Sequence, residues 1–99
     1  MKKKLYIFCS AAMSSSMIAK KMNEKAVAEN IDVEVDAFPE SKVNDKGKEA
    51  DVILLSPQIR YLEKDIKSKF ADKVVYVIEM TDYIPTKAGD ILTKCLNAS

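Results

Sequence analysis

Residues 5–22 read LYIFCSAAMSSSMIAKKM. Residues 5–8 form a short unbroken apolar run, the pattern of a strand buried on both faces. Residues 9–13 follow as a loop. From residue 14 to about 30 the period becomes helical: Ile18, Ala19, Met22 and Ala26 share one face, and Lys20, Lys21, Asn23 and Glu24 turn largely away from it. Asn30 supplies a stop. This strand–loop–helix unit decides the fold class, because the rest of the chain repeats its alternation.

The segment DVEVDAF (32–38) alternates, with Val33, Val35 and Ala37 on one side and acidic residues between them. That is a strand wet on one face, hence an edge strand, and Pro39 should end it. Residues 40–50 are weakly patterned; a short helix or loop is expected, with a turn near Gly47. DVILLS (51–56) is a buried strand. Ser56 fits an N-cap and Pro57 a first helical position, and Ile59, Leu62, Ile66 and Phe70 predict a helix over 58–69. Residues 74–78 read as the last strand and 81–86 as a loop. Ala88, Ile91, Leu92, Cys95 and Leu96 mark one face of a C-terminal helix. Strands alternating with helices imply a single α/β domain over residues 1–99, a parallel sheet with helices on both faces. Ligands of such sheets sit at the carboxyl ends of strands where strand order reverses. Cys9 stands at the carboxyl end of the first strand.

Composition narrows the function. With 47% hydrophobic and 31% charged residues, the chain is globular rather than disordered. A net charge of +1 gives no general grip on nucleic acid or an acidic membrane. The opening MKKK is not followed by an apolar segment long enough for a signal peptide or a span of ~20 residues, so a cytoplasmic protein without membrane insertion is expected. The two cysteines, Cys9 and Cys95, are far apart, and there is no histidine. That removes Cys–His nucleophile pairs, histidine metal motifs and the usual general base. No metal and no cofactor are expected.

The loop after Cys9 has the makings of an anion cradle. Backbone amides of Ser10, Ala11, Ala12, Met13, Ser14, Ser15 and Ser16, in the loop and the first helical turn, lack intrahelical partners and can converge on one small anion, aided by the helix dipole. Small side chains let the backbone approach, and the serine hydroxyls add donors. The same field favours a thiolate, so the loop both activates Cys9 and binds the group it would attack, such as a phosphoryl. A thiol ending a core strand is commonly an inert packing group; the composition of the loop and its place before a helix turn the reading toward an anion-binding nucleophile. Cys95, Met17 and Met22 read as core. Asp82 and Tyr83 follow the last strand near the crevice, but a loop carboxylate is usually solvated, and both are read as without a role. A thiolate phosphatase would carry C-x5-R, its arginine clamping the phosphoryl oxygens. Here that position is Ser15, and the sole arginine is Arg60. Such a site should hold a phosphocysteine and hydrolyse it slowly, as a carrier would.

LYIFCSAAMSSSMIAKKM resembles the phosphocysteine loop of the IIB components of the bacterial sugar phosphotransferase system, lactose/cellobiose class. EVDAFPE and DVILLSPQIRY resemble further segments of those proteins, and length and element order match throughout. The resemblance implies an open four-stranded sheet of order 2-1-3-4, similar to low-molecular-weight tyrosine phosphatases, in a monomer. It implies that Cys9 accepts a phosphoryl group from a phosphohistidine of a IIA protein and passes it to a disaccharide of cellobiose, chitobiose or lactose type held by the membrane IIC permease. The histidine missing here would then belong to the partner. The phosphate-holding amides carry over to Ser10 through Ser16. The chain departs from the family at Ala12 and Ser56, where glycine is usual; if position 12 needs a positive φ, alanine is strained there by ~1 kcal/mol. A small thiolate phosphatase and a phosphate-binding regulatory module are the alternative readings.

Overall fold

The computed structural model of the protein describes residues 3–10 and 12–98, and of residues 12–14 the backbone alone. The apolar run at the start becomes a central strand, β1 (Lys3–Cys9). It lies between β2 (Val33–Pro39) and β3 (Val52–Leu55), with β4 (Val74–Val77) outside β3. All three pairings are parallel, in the order β2-β1-β3-β4 that the resemblance implies.

Alternation along the strands sorts two cores. Leu5, Ile7, Val33, Val35, Val52 and Leu54 face helices α1 (Ala12–Ala28) and α4 (Ala88–Ala98), which contribute Ile18, Met22, Ile91 and Leu92. Tyr6, Phe8, Ile53 and Leu55 face the other way, under Val43 of α2 (Val43–Lys46), Ile59, Ile66 of α3 (Glu63–Lys69), and Phe70. Helices thus cover both faces. Gly47, at the expected turn, lies so near Phe70 that a Cβ there would come within 2.8 Å of its ring.

Several boundaries differ from the sequence reading. Helix α1 begins at Ala12 rather than at residue 14. It ends in a Schellman motif: Asn30 has φ 56°, its N–H donates to Val27 O (3.3 Å), and the Ile31 N–H donates to Ala26 O (2.8 Å). Pro39 belongs to β2 as its last residue instead of following its end, a position where a missing N–H does little harm. The side-chain amide of Asn23 bonds β2 in both directions, Nδ2 donating to Val35 O (2.7 Å) and Oδ1 accepting from Val35 N (2.9 Å).

The helix expected over 58–69 is broken. Pro57–Leu62 is 3-10, with Ile59 at φ −115° and ψ 22°, because Pro57 and Ile59 are both drawn into the interior. Met17 is corrected outright: at 49% exposure it lies on the surface, whereas Met22 is core. Among the described residues no helix is long and apolar enough to cross a membrane, and no group of three potential metal ligands forms.

Cys95 is fully buried on α4, its Sγ bonded to Leu92 O (3.3 Å). Burial pushes its thiol from 9.0 up to about 12. Between those values the folded chain keeps a proton that the unfolded chain has lost. The associated stability is therefore complete below pH 9.0 and disappears as pH rises through about 12. At ~1.4 kcal/mol per unit, a few kcal/mol are at stake. Burial also raises Tyr6 and Tyr76, which act in the same direction. Urea unfolding should show a stability loss of a few kcal/mol between about pH 9 and pH 12, and a shallower one in Cys95→Ala. Equal slopes in both proteins would refute the assignment to Cys95.

Candidate active site

Cys9 is the last residue of β1, at the carboxyl edge of the sheet between β2 and β3, where strand order reverses. It continues the Leu5–Ile7 series, so its side chain leaves the sheet on the side of α1 and α4. The chain then turns at once into α1, whose first turns come down over the thiol. Ser15 is fully buried there, with Oγ 2.8 Å from Cys9 Sγ. Cys9 itself is only 1% exposed. Ser15, expected among the phosphate-holding residues, meets the sulfur of Cys9 in this structure.

The neighbouring strand supplies Ser56. Phe8 pairs with Leu55, and the Ser56 N–H donates to Phe8 O (3.0 Å), so Ser56 occupies the rung beside Cys9 and points to the same face. Its backbone is extended and its carbonyl accepts the Ile59 N–H (3.1 Å), as an N-cap's would. The hydroxyl, however, makes no cap bond.

Tyr83 enters from the connection between β4 and α4. Its ring packs on the α1/α4 core and its hydroxyl faces Cys9, Ser15 and Ser56. Burial pushes the phenol well above its ordinary value. Hydrogen bonding to Cys9, and the charge of Cys9 when ionised, push the same way, while the facing serine hydroxyls oppose. The reading of Tyr83 as a bystander is thus corrected: it lines the site. Asp82 is corrected too, since it is not solvated. It is 7% exposed and accepts a hydrogen bond from Lys94 Nζ (2.6 Å) on α4. The reason for both is the 3-10 turn Met80–Asp82, in which Asp82 N donates to Glu79 O (2.9 Å) and folds the chain back over the sheet edge.

Of the other cradle residues, Ser10 and Ser16 are exposed. Ala11 lies outside the described residues, as do the side chains of Ala12, Met13 and Ser14. Arg60 is on the surface of the 3-10 segment after β3.

A thiol held at a strand end under a helix start, in a sheet of this order, narrows the family to few candidates, and one match decides. The model of the lactose/cellobiose-specific IIB subunit of the phosphotransferase system matches residues 4–94. The chain belongs to this family.

This IIB chain is 31% identical over 88 residues to the oligo-beta-mannoside-specific EIIB component of Bacillus subtilis, covering 89% of this chain and 84% of that one. It is 26% identical over 102 aligned positions to the galactose-specific EIIB component of Lactococcus lactis subsp. cremoris, covering 96% and 94%. Its fold matches the lactose-specific IIB domain of Streptococcus pneumoniae with a TM-score of 0.82 over 96% of this chain and 98% of that one, at 20% identity. The IIB chain is accordingly a sugar-specific component of the phosphotransferase system, of the lactose/cellobiose class.

Proposed function

We propose that Cys9 is a phosphoryl carrier between a IIA protein and a disaccharide held by a IIC permease. The observation that supports it is the thiol at the end of β1, bonded to Ser15 at the start of α1 in a chain with no histidine. In the first step the sulfur lone pair attacks phosphorus of a IIA phosphohistidine. The P–N bond breaks and the imidazole nitrogen keeps its electron pair. In the second step a sugar hydroxyl oxygen attacks phosphorus, the P–S bond breaks, the thiolate is recovered and the hydroxyl proton is released. The chain's part is to position the sulfur and to hold the phosphoryl oxygens on the amides of residues 10–16, as a helix N-terminus holds anions. No guanidinium stands in the C-x5-R position to assist attack by water, which favours retention over hydrolysis.

The test is incubation with a phosphohistidine form of a IIA protein of this class. A persistent phosphocysteine at Cys9 is the expected result. Release of inorganic phosphate within seconds would make the chain a thiolate phosphatase. Absence of any label would make it a phosphate-binding module.

A further inference from the structure

Ser56 Oγ is fully buried and has no hydrogen-bond partner, the one such side-chain oxygen or nitrogen among the described residues. Buried polar groups are almost always bonded, and an orphan hydroxyl carries an uncompensated desolvation penalty. A serine preceding a helical turn has an easy local partner in a cap amide, yet here the hydroxyl is turned inward. The Tyr83 hydroxyl faces it, but the two approach without reaching hydrogen-bond geometry. The sheet register fixes where Ser56 points: to the same side as Cys9, one strand away, at the adjacent rung. An unused donor directed at a nucleophile marks the place of an acceptor that arrives with the reaction.

We propose that the Ser56 hydroxyl donates a hydrogen bond to a phosphoryl oxygen of phosphorylated Cys9. It forms, with Tyr83 beside it, a side-chain counterpart to the backbone amides on the opposite side of the group. The proposal rests on the reading of Cys9 as acceptor. A phosphoryl group brings three strong acceptor oxygens into the niche, and the donor is pre-placed, so forming this bond requires no rotamer search. The Ser56 hydroxyl is unused in the unphosphorylated protein and a ligand contact in the phosphorylated one.

The test is the equilibrium distribution of phosphoryl between the IIA protein and this chain, for the parent, Ser56→Ala, Ser56→Gly and Ser56→Thr, with urea unfolding of each unphosphorylated protein alongside. Loss of a hydrogen bond to a charged oxygen should shift the equilibrium toward IIA about tenfold in Ser56→Ala and Ser56→Gly. Ser56→Thr should stay near the parent. Unphosphorylated Ser56→Ala should be as stable as the parent or more so, because it removes an orphan group. A structural role would give the reverse, lower stability with an unchanged equilibrium, and would overturn the proposal. If the parent is labelled at Cys9 and Ser56→Ala shares its equilibrium, this proposal fails and the carrier reading stands. If the parent is not labelled at Cys9, both fail.

Discussion

Cys9→Ala should acquire no phosphoryl label from a phosphorylated IIA protein, and Cys9→Ser at most a trace, a loss on the order of 10³-fold or more. Serine fits the space of cysteine, and its hydroxyl can still meet Ser15 Oγ, so the variant should fold as the parent does. What it lacks is the nucleophile: a hydroxyl is far weaker than a thiolate, and no histidine exists in the chain to activate it. Cys95→Ser is the matched control. Its thiol lies on α4, bonded to Leu92 O within the apolar core, and its variant should transfer nearly as well as the parent at neutral pH. Intact-protein mass spectrometry after incubation with the donor reads both. Label retained in Cys9→Ala would refute the assignment of the acceptor.

Ser15→Arg is the second large effect, and the structure reverses what the sequence suggests for it. By spacing alone, residue 15 is where a phosphatase keeps its arginine, so the substitution reads as a route to a hydrolase. In the fold, Ser15 is 0% exposed and its Oγ touches Cys9 Sγ at 2.8 Å. A guanidinium placed there would bring five N–H donors and a full charge into a niche that, among the described side chains, Ser56 and Tyr83 line beside Cys9. Neither is a carboxylate. Burying an unpaired charge beside a well-packed strand end should lower stability by about 3 kcal/mol or more and displace the thiol from its position. Ser15→Ala, which removes only the hydroxyl, should cost about 1 kcal/mol. Urea unfolding and the phosphocysteine lifetime are the measurements. A Ser15→Arg protein as stable as the parent, with a rapidly hydrolysing phosphocysteine, would show that the position is open after all.

The fold was largely legible because its signals are local. The apolar run before Cys9, the alternation in 32–38 and the run in 51–56 each specify a strand and its burial without reference to anything distant. Helix α1 was legible for the same reason, apart from its first two residues. The helix after β3 was not, since its break depends on Pro57 and Ile59 both reaching the interior, which is a tertiary demand. In the site, Cys9 announced itself through the small residues that follow it. Tyr83 did not, because no pattern in TDYIPT says that a 3-10 turn will fold it back onto the end of a different strand. Ser56 was legible only in part, for the opposite reason: it is the N-cap residue before Pro57, as expected, but its hydroxyl makes no cap bond. Its local context, a serine before Pro57, described a cap well enough to hide where the hydroxyl goes. The usable signal was positional: Ser56 directly follows β3, beside the Cys9 that ends β1, and parallel neighbours at one rung share a face.

The bond between Asn23 and Val35 has a consequence for how this molecule tolerates crowding. An outer strand of a sheet is a ready template on which another chain can crystallise its own backbone. Val33, Val35, Ala37 and Pro39 share the parity that turns their backbone groups outward from β2. Val35 is taken by Asn23, the Val33 N–H by Ile31 O at 3.0 Å, and Pro39 has no N–H to offer. A visiting strand would find one amide of the four, at Ala37, too sparse a ladder to grow from. The sheet is thereby guarded against its own copies lying edge to edge.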